Sequence, residues 1–416
     1  MNTIRKALNY IWLHGWKYRV IERQHQNYIA QLRGRKQVNV VFTAINVSLW
    51  HYQKVYELMA ADARFNASIV LTPCTSHENY EKEMEGLRHY FDNLGIGYVD
   101  LEENGKPIDI KKLNPDIIFY TQPYEYLLAD NQDCRFYYDR LICYIPYAFW
   151  TGAGKISYNL HFHNLAWRLY YSNDMHLKDA QRTATNHGRN VRVTGYPDAD
   201  LFLSANHDDV WRTMGDGKQR KRLIWAPHYS IWEKAVFSPQ SNFLWMADFM
   251  LAIAQEYKDR IQFAFKPHSA LLTQLYKHPD WGKKRADDYY ERWRTMANAQ
   301  LETGDFIDLF MTSDAMIHDC GSFRVEYHYT KNPVMYMLRS EVNYTIQNDF
   351  GKKAQNLHYI GHNEADIRHF IDDIVLGGQD PMRPQREQFF HEYLLPPDGK
   401  SVAQNVLDDI VESLHL

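Results

Sequence analysis

TSDAMIHDCGSFRVEYHYT, residues 312–330, contains the patterns of a strand, a turn and a helix in direct succession. Ala315–Ile317 is a short apolar run typical of a buried strand, and Asp319–Ser322 has the composition of a turn. Phe323–Tyr329 then predicts a helix. In doubly wound α/β sheets, ligands bind beyond the carboxyl ends of the strands. A Gly-Ser turn that opens a helix also exposes backbone N–H groups, so we expect this segment to bind phosphate.

The turn and the start of the helix offer four candidate ligand contacts. Asp319 lies in the turn, Gly321 would let a phosphate approach the backbone, and Ser322 would donate its hydroxyl. Glu326, one turn into the helix, would hold a ribose or glycerol hydroxyl. The alternative is an ordinary strand–turn–helix in which Ser322 caps the helix.

Two further predicted strands end in polar side chains of the same kind. FAFKPHS, residues 263–269, carries Lys266 and His268 after an apolar run. The Lys266 cation would neutralise a diphosphate, and His268 would stabilise the departing phosphate or move a proton. IWAPHYS, residues 224–230, places His228 after another strand. A surface loop is the alternative for each, but three such strand ends in one half of the chain favour a shared diphosphate site.

Strand and helix patterns alternate twice along the chain, which predicts an α/β fold with parallel sheets. The first series starts at Val38 and the second restarts near Arg222. We therefore predict the GT-B architecture, two Rossmann-like lobes with a cleft between them, preceded by an amphipathic helix. The predicted segments are 1–37 (basic N-terminal helix), 38–200 (acceptor lobe), 201–380 (donor-nucleotide lobe) and 381–416 (C-terminal helices).

Short apolar runs locate the strands of both predicted sheets. The predicted strands are Val38–Thr43, Ser68–Leu71, Tyr98–Val99, Ile117–Tyr120, Ile142–Ile145, Leu223–Trp225, Ile261–Phe265, Ala315–Ile317 and Val334–Met337. No GxGxxG follows the first strand, which argues against a dehydrogenase, and no GxxxxGK[ST] occurs, which argues against a P-loop enzyme.

The N-terminal residues predict an amphipathic helix with basic flanks. Its apolar side chains recur at helical spacing and are Ile4, Leu8, Ile11, Trp12 and Trp16. Tryptophan anchors beside basic residues suit an anionic membrane surface. The alternative is a helix that packs on the body of the protein.

Composition limits the class of protein. The formal net charge is −4, which argues against a nucleic-acid partner, since such binders carry a strong basic excess. The 4 cysteines form no CxxC pair, so we expect neither a metal site nor a disulfide framework. No stretch approaches the about 20 apolar residues that span a bilayer, and no secretory signal is visible. We expect a cytoplasmic protein, peripheral on the inner membrane face at most, with no cofactor besides a nucleotide-activated donor substrate.

IPYAFWTG, residues 145–152, follows a strand of the first lobe and predicts the acceptor side. Its aromatic residues would face the cleft, with Trp150 and Thr151 as candidate contacts. His161 follows soon after and is a candidate base, although a lone histidine more often has a plain structural role. TGYPDAD, residues 194–200, predicts a turn between the lobes whose Gly and Pro act as a structural hinge.

Several short motifs occur in a fixed order: Thr194-Gly-Tyr-Pro, Ala226-Pro-His, Lys266-Pro-His, Ser313-Asp-Ala-Met-Ile-His-Asp-Cys-Gly-Ser322, Glu326-Tyr and Asn332-Pro-Val. At these motifs the chain resembles the CDP-glycerol glycerophosphotransferase family of teichoic-acid and capsule synthesis. The resemblance implies a metal-independent GT-B transferase on the inner face of the bacterial membrane, with its donor site in the second lobe. His268 would then assist the departing nucleotide phosphate, and Gly321 and Ser322 would hold the diphosphate.

The chain departs from that family at one motif. The family's first-lobe Trp-His-Gly-Thr carries its proposed base, whereas the nearest counterpart here is Phe149-Trp150-Thr151-Gly152. The donor is therefore CDP-glycerol or a nucleotide sugar of capsule or O-antigen synthesis, and the acceptor is a growing polysaccharide or lipid-linked polymer. Two other interpretations are a UDP-sugar epimerase on the same fold and a non-catalytic subunit of a polysaccharide-assembly complex.

Overall fold

The structure is a computed structural model that describes residues 16–74, 80–101, 105–232 and 240–416. The predicted amphipathic residues Ile4, Leu8, Ile11 and Trp12 lie outside the described residues. The chain divides into two units. Counting described residues only, the first comprises 16–150, Gly154–Asp200 and Tyr393–Leu416, and the second comprises Thr151–Ala153 and Leu201–Glu392.

The first unit is built on a six-stranded sheet with the order β2-β1-β3-β4-β5-β6. All neighbouring strands are parallel, and the apolar runs of the sequence form its centre because helices cover both faces of such a sheet. Its strands are β1 Val38–Ala44, β2 Phe65–Leu71, β3 Ile117–Phe119, β4 Leu141–Tyr144, β5 Arg168–Tyr171 and β6 Val191–Val193. The strand order reverses between β1 and β3, which is the ligand-binding switch point of open α/β sheets.

The second unit is also built on a parallel six-stranded sheet, with the order β12-β11-β10-β7-β8-β9. Its strands are β7 Lys221–Ala226, β8 Ile261–Phe265, β9 Ala299–Leu301, β10 Ala315–His318, β11 Val334–Met337 and β12 Tyr359–Gly361. Counted within the unit, this is the strand order 3-2-1-4-5-6 of dinucleotide-binding folds read from the opposite edge. The switch point lies between β7 and β10.

Helices cross over between the strands and bury their apolar faces on the two sheets. In chain order they are α1 Lys17–Leu32, α2 Gln53–Ala61, α3 Tyr80–Asn93, α4 His161–Leu165, α5 Asp174–Thr183, α6 Ala199–Phe202, α7 Phe243–Glu256, α8 Leu271–Lys277, α9 Gly282–Thr295, α10 Ile307–Met311, α11 Phe323–Glu326, α12 Val342–Thr345, α13 Asp349–Gln355, α14 Glu364–His369, α15 Arg383–Phe389 and α16 Val402–Leu414. Within the described residues, none of these helices has both the length and the apolar character that crossing a bilayer requires.

Strand register brings the carboxyl ends of β10, β7 and β8 level with one another. His318 pairs with Ala226 across β10 and β7, and Trp225 pairs with Phe265 across β7 and β8. Aromatic packing stabilises the carboxyl ends of β7 and β8. The centroid of the Phe265 ring lies 4.9 Å from that of Trp225 and 5.3 Å from that of Trp293 in α9. The turns that follow the strands therefore start from a rigid, buried platform.

The predicted alternation of strands and helices is confirmed, and Ile261–Phe265 and Val334–Met337 have the predicted bounds. The predicted strand Tyr98–Val99 is wrong, since Val99 forms only an isolated bridge with Val70. Four short strands, β5, β6, β9 and β12, were not predicted. β5, β6 and β9 each carry one charged or amide residue, such as Arg168, and β12 has only three residues and ends in glycine, so none of them has the apolar run that marks a central strand.

Gly195 packs so closely against Pro396 and the start of α16 that no residue with a Cβ would fit there. Its φ is +106°, and a Cβ there would lie 2.8 Å from Val402 Cγ2 and 3.1 Å from Pro396 Cβ. We expect Gly195→Ala to lower the free energy of unfolding by about 2 kcal/mol or more, because backbone strain adds to overpacking. Urea unfolding measures the change.

Gly86→Ala is the matched control for that substitution. Gly86 lies inside α3, where a Cβ would meet nothing within 4 Å, so alanine should stabilise the protein by about 0.5–1 kcal/mol. A Gly195→Ala protein as stable as the wild type would contradict the packing described for Gly195.

Candidate functional site

Three neighbouring strands of the second unit end in the same local turn around a histidine. His228 follows β7, His268 follows β8, and His318 ends β10. In each turn the histidine Nδ1 accepts the backbone N–H of the residue two positions on, at 3.2 Å, 3.1 Å and 3.2 Å respectively. A ring nitrogen that accepts an N–H carries no proton, so each neutral ring has its proton on Nε2.

The rings of His228 and His268 come together beyond the ends of β7 and β8. Their centroids are 5.1 Å apart, and the Tyr229 ring lies 4.4 Å from the first and 4.6 Å from the second. In the part of the chain that the structure describes, neither Nε2 has a hydrogen-bond partner and neither is fully enclosed. The pair therefore presents two N–H donors to a ligand.

Burial keeps both imidazoles uncharged at neutral pH. It lowers the pKa of His228 to about 3, with help from the charges of His268 and Arg324. It also lowers the pKa of His268 to about 4, with help from Lys266. An anion bound between the rings would oppose these effects and raise both pKa values.

Lys266 lies at the end of β8 and is buried, with its Nζ donating to Gly304 O at 2.6 Å. Burial lowers its pKa, while Glu302 and Asp305 raise it. An ammonium has three N–H donors, and this one has a single acceptor among the described residues. Lys266 therefore retains donors for an anion beside His268.

The Asp319 carboxylate is directed at backbone groups rather than at a ligand. Oδ1 accepts the N–H of His228 at 2.6 Å, and Oδ2 accepts the N–H of Asn242 at 2.6 Å. Burial raises the pKa of Asp319 to about 7, although these two N–H groups lower it. Since a carboxylate would repel a diphosphate, its contribution is to fix the His228 turn at the switch point.

Gly321 and Ser322 form the turn between β10 and α11. Ser322 is the N-cap residue of α11, as the structural alternative expects, but its hydroxyl accepts no N–H of the helix. A Cβ on Gly321 would meet only Gln240 Oε1, at 3.7 Å, and the φ of Gly321 lies outside the left-handed region. Neither backbone strain nor packing among the described residues requires glycine here.

Arg324 and Thr151 belong to this region, and sequence reasoning missed this pairing. Arg324 is buried, and it donates from Nη1 to Thr151 Oγ1 at 3.3 Å and from Nη2 to Tyr336 Oη at 2.9 Å. Thr151, expected on the acceptor side, lies in the second unit, where its carbonyl accepts the Asn348 N–H at 2.9 Å. Glu326 is also buried in α11. A basic residue in a helical pattern normally predicts a solvated position, so only the closeness of Arg324 to Ser322 in sequence was available as a signal.

Trp150 and His161, the other two predicted acceptor-side residues, lie in the first unit. His161 Nδ1 lies 2.7 Å from Glu125 Oε1, and its Nε2 lies 3.4 Å from Lys17 Nζ. An ammonium can only donate, so Nε2 is the acceptor and Nδ1 carries the proton. His161 therefore joins α1 to the body of the unit through a polar cluster. The Trp150 ring packs edge-on against Tyr147 at 5.8 Å.

An imidazole–carboxylate pair lies in the loops that follow β1 and β6 of the first unit, and it was not predicted. His51 follows β1, and its Nδ1 lies 2.8 Å from both carboxylate oxygens of Asp198. Its Nε2 lies 3.1 Å from Ser48 O. Asp198 belongs to the TGYPDAD turn, which the sequence marked only as a hinge, and the two residues are 147 positions apart.

The donor set of the second unit favours an anion over a metal. Among the described residues, no group of three or more His, Cys, Asp or Glu side chains could hold a metal ion. Ammonium and guanidinium groups and imidazoles with Nε2–H are hydrogen-bond donors that suit phosphate oxygens.

Comparison with known proteins gives one sequence family. The family described as CDP-Glycerol:Poly(glycerophosphate) glycerophosphotransferase matches residues 154–411, which is more than half of the chain. No curated protein matches the chain significantly.

Solved structures resemble the chain at low sequence identity. A variant of the wall teichoic acid polymerase TagF aligns over 100% of this chain and 98% of its own, with 13% identity and a TM-score of 0.58. The S. aureus MnaA–UDP complex aligns over 92% and 98%, with 12% identity and a TM-score of 0.57. UDP-GlcNAc 2-epimerase from Neisseria meningitidis bound to UDP-GlcNAc aligns over 90% and 100%, with 12% identity and a TM-score of 0.53. At these identities the likeness concerns the fold alone, and it confirms the predicted GT-B fold.

Five histidines, three of them buried and two partly buried, make the second unit sensitive to acid. Burial lowers the folded-state pKa of each of them, namely His228, His268, His318, His328 and His358. The pKa of an unfolded histidine is about 6.5, so below that pH the unfolded chain binds more protons and stability falls. Asp319, whose pKa is raised to about 7, binds a proton more readily in the folded state and so favours folding as the pH falls, but it is one group against five. We expect the free energy of unfolding to be at least about 2 kcal/mol lower at pH 5.5 than at pH 7.5.

Urea unfolding at the two pH values measures this loss. His328→Leu should reduce the pH dependence by about 1.4 kcal/mol, because one neutral buried histidine has been removed. His362→Leu is the control, since His362 is exposed and should leave the dependence unchanged. Equal stability of the wild type at both pH values would contradict the neutral state of the buried imidazoles.

Proposed function

Since the chain belongs to the CDP-glycerol:poly(glycerophosphate) glycerophosphotransferase family, we propose that it transfers glycerol phosphate from CDP-glycerol to a growing cell-surface polymer. The chain is a transferase of GT-B fold, and its second unit holds the donor in this proposal. The observation that carries the proposal is the pair of Nε2–H donors of His228 and His268, whose ring centroids are 5.1 Å apart. The Lys266 ammonium is close enough to help lower the pKa of His268. These groups follow the carboxyl ends of β7 and β8, the edge of the sheet at which open α/β folds bind ligands.

The proposed reaction is an in-line displacement at phosphorus. A hydroxyl oxygen of the acceptor bonds to the phosphorus of glycerol phosphate, while the bond from that phosphorus to the bridging oxygen breaks. CMP leaves with the electron pair of that bond, and the acceptor loses its hydroxyl proton to a base. Negative charge grows on the CMP phosphate, where His268 Nε2–H and Lys266 would stabilise it.

The His268 tautomer supports this role. Because Nδ1 accepts the Ala270 N–H at 3.1 Å, the proton of the neutral ring is on Nε2 before any donor binds. A preorganised donor needs no rearrangement during the reaction, which is the condition for strong electrostatic catalysis. As negative charge accumulates, the pKa of His268 rises from about 4, so the ring can also gain a proton.

In this proposal the first unit binds the acceptor, with Trp150 and His161 as its predicted contacts. His51 is the additional candidate for acid–base work, because its Nδ1 lies 2.8 Å from the Asp198 carboxylate. A carboxylate at this distance orients the imidazole and stabilises the imidazolium form. We propose His51 as the base rather than a residue of the Phe149–Gly152 motif. In that role the acceptor hydroxyl replaces the Ser48 carbonyl, which lies 3.1 Å from His51 Nε2.

Acceptor-dependent nucleotide release tests the proposed function. The purified protein is incubated with CDP-glycerol or a panel of UDP- and CDP-sugars, with and without a glycerol phosphate oligomer. CMP release from CDP-glycerol that requires the oligomer is expected. UDP release from a sugar donor would reassign the donor to a nucleotide sugar, and no release from any donor would contradict a transferase.

Substitution of His268 tests the donor role within that assay. We expect His268→Asn to lower kcat by about 100-fold, because an oxyanion donor is lost. His268→Gln should retain more activity, since the glutamine amide nitrogen can occupy the place of Nε2–H. His278→Asn is the control. His278 Nδ1 also accepts the N–H of the residue two positions on, Asp280, at 3.3 Å, but His278 follows α8 rather than a strand of the sheet. Near-normal kcat in His268→Asn would remove His268 from the reaction.

We also propose that the basic N-terminal region contacts the inner membrane surface peripherally. Trp16 is 57% exposed at the start of α1, Val20 is 42% exposed, and the Arg19 guanidinium lies 5.5 Å from the Trp16 ring. Exposed tryptophan with adjacent basic residues suits an anionic interface.

Vesicle sedimentation measures this contact. The wild type should bind vesicles that contain phosphatidylglycerol, and binding should weaken between about 0.05 and 0.5 M salt because charge attraction is screened. Trp16→Ser combined with Arg19→Ser should reduce binding, whereas Lys284→Ser, at an exposed position of α9, should not. Equal binding of the double variant and the wild type would refute the membrane contact.

A further inference from the structure

Lys17, the first residue of α1, carries a half-buried ammonium that has no carboxylate at ion-pair distance in the described part of the chain. Its Nζ lies 3.4 Å from His161 Nε2 and 5.8 Å from the centroid of the Tyr138 ring. Arg35, just beyond the end of α1, shows the ordinary arrangement, because its guanidinium pairs with Asp116 at 2.9 Å. Since an ammonium has three N–H donors and one is directed at His161, Lys17 keeps two donors for a further partner.

The Glu125 carboxylate, whose charge reaches Lys17, is already occupied by two other donors. Its Oε1 accepts the Tyr138 hydroxyl at 2.6 Å and the His161 Nδ1–H at 2.7 Å. Burial raises the pKa of Glu125, but the hydrogen bonds from His161 and Tyr138 lower it, and the pKa lies below its usual value. Glu125 is therefore ionised at neutral pH, and the neutral His161 ring lies between this carboxylate and the Lys17 ammonium.

The imidazole and the ammonium are both accessible to an external anion. The His161 side chain is 22% exposed, and Lys17 is half-buried at the start of its helix. An ammonium binds an anion more strongly than it binds the lone pair of a neutral ring, because both partners are then charged. An anion that reaches Lys17 would replace His161 as its acceptor. The released Nε2 could then take up a proton, because the Glu125 carboxylate stabilises the imidazolium form.

We propose that Lys17 and His161 form an anion site of the first unit, and that this site binds a phosphodiester group of the acceptor polymer together with one proton. In the bound state the phosphodiester oxygens accept N–H groups from the Lys17 ammonium and from Nε2 of a His161 imidazolium. The proton comes from solvent and stays on His161 while the group is bound. This inference rests on the proposed function, and it assigns His161 to binding of the acceptor rather than to removal of its proton.

Charge balance favours a phosphodiester over a phosphate monoester at this site. Among the described residues, the titratable groups in contact with the His161 ring are Lys17 of α1, Glu125 after β3 and Tyr138 before β4. Without a ligand, the ammonium and the carboxylate balance around a neutral ring. With a phosphodiester, which carries one negative charge, the added proton on His161 restores the balance. A monoester carries about 1.5–2 negative charges and would leave an excess.

Calorimetry of the full chain with a soluble glycerol phosphate oligomer, without any donor, tests the inference. Titrations in two buffers of different ionisation enthalpy give the number of protons exchanged, and we expect uptake of about 0.5–1 proton per oligomer bound at pH 7.5. Lys17→Met should weaken binding by at least about 10-fold, because a charge-assisted contact is lost, whereas Lys17→Arg should retain most of the affinity. His161→Asn should remove the proton uptake. Lys178→Met, at an exposed position of α5, is the control and should match the wild type.

Equal oligomer affinity of the wild type and Lys17→Met overturns the inference, as does a wild type that binds no oligomer or binds it without proton uptake. Binding to phosphatidylglycerol vesicles but not to the soluble oligomer also overturns it, because the anion would then be a lipid headgroup. Thermal unfolding without ligand confirms that each variant is folded, and Lys17→Gln replaces Lys17→Met if the latter is not.

Nucleotide release separates this inference from the proposed function. Lys17-dependent oligomer binding without nucleotide release from any donor would retain the anion site and refute the proposed function. Oligomer-dependent nucleotide release that is equal in the wild type and Lys17→Met would do the reverse.

Discussion

The Asp319 carboxylate is the interaction on which the site of the second unit depends. It accepts backbone N–H groups from the His228 turn and from Asn242, which directly precedes α7, so one side chain joins three segments at the switch point. Its burial is unfavourable enough to raise its pKa to about 7. Without it, two buried N–H groups would lose their acceptor, at a cost of about 1–3 kcal/mol each. The position of His228 thus follows from the strand order of the sheet and from this carboxylate together.

Electrostatics and burial act together in this region. Lys266 and Arg324 provide positive charge in a poorly solvated environment, and the same burial keeps His228 and His268 neutral. An anion that enters gains from both cations because the local dielectric response is weak. A bound anion also opposes the effect of the two cations on the imidazoles. The pKa values of His228 and His268 therefore rise only when the anion is bound. The unliganded protein therefore holds hydrogen-bond donors whose proton affinity depends on the substrate.

The sequence was sufficient to predict those parts of the fold in which a local residue pattern reflects a physical requirement of the structure. Buried parallel strands need apolar runs, and polar residues at their carboxyl ends collect along one edge, so His228 and His268 could be assigned to one region. Their tautomers depend on a backbone N–H two positions away and needed coordinates. The Thr151–Arg324 contact joins residues 173 positions apart, and the short strands β5 and β9 are stabilised by tertiary pairing rather than by their own composition. No local signal could have predicted these.

The departure of Phe149–Gly152 from the family motif has a structural counterpart in Thr151. A histidine there could exchange a proton, whereas Thr151 offers a hydroxyl that already accepts from Arg324 and lies next to a carbonyl bound to Asn348. Such a residue can hold a cation in place but has no basicity with which to remove an acceptor proton at neutral pH. The requirement for a base must therefore be met by another residue, and a carboxylate-paired imidazole is the group that meets it best. We therefore propose His51, paired with Asp198, for this role; both residues lie in loops of the half that the sequence assigned to the acceptor.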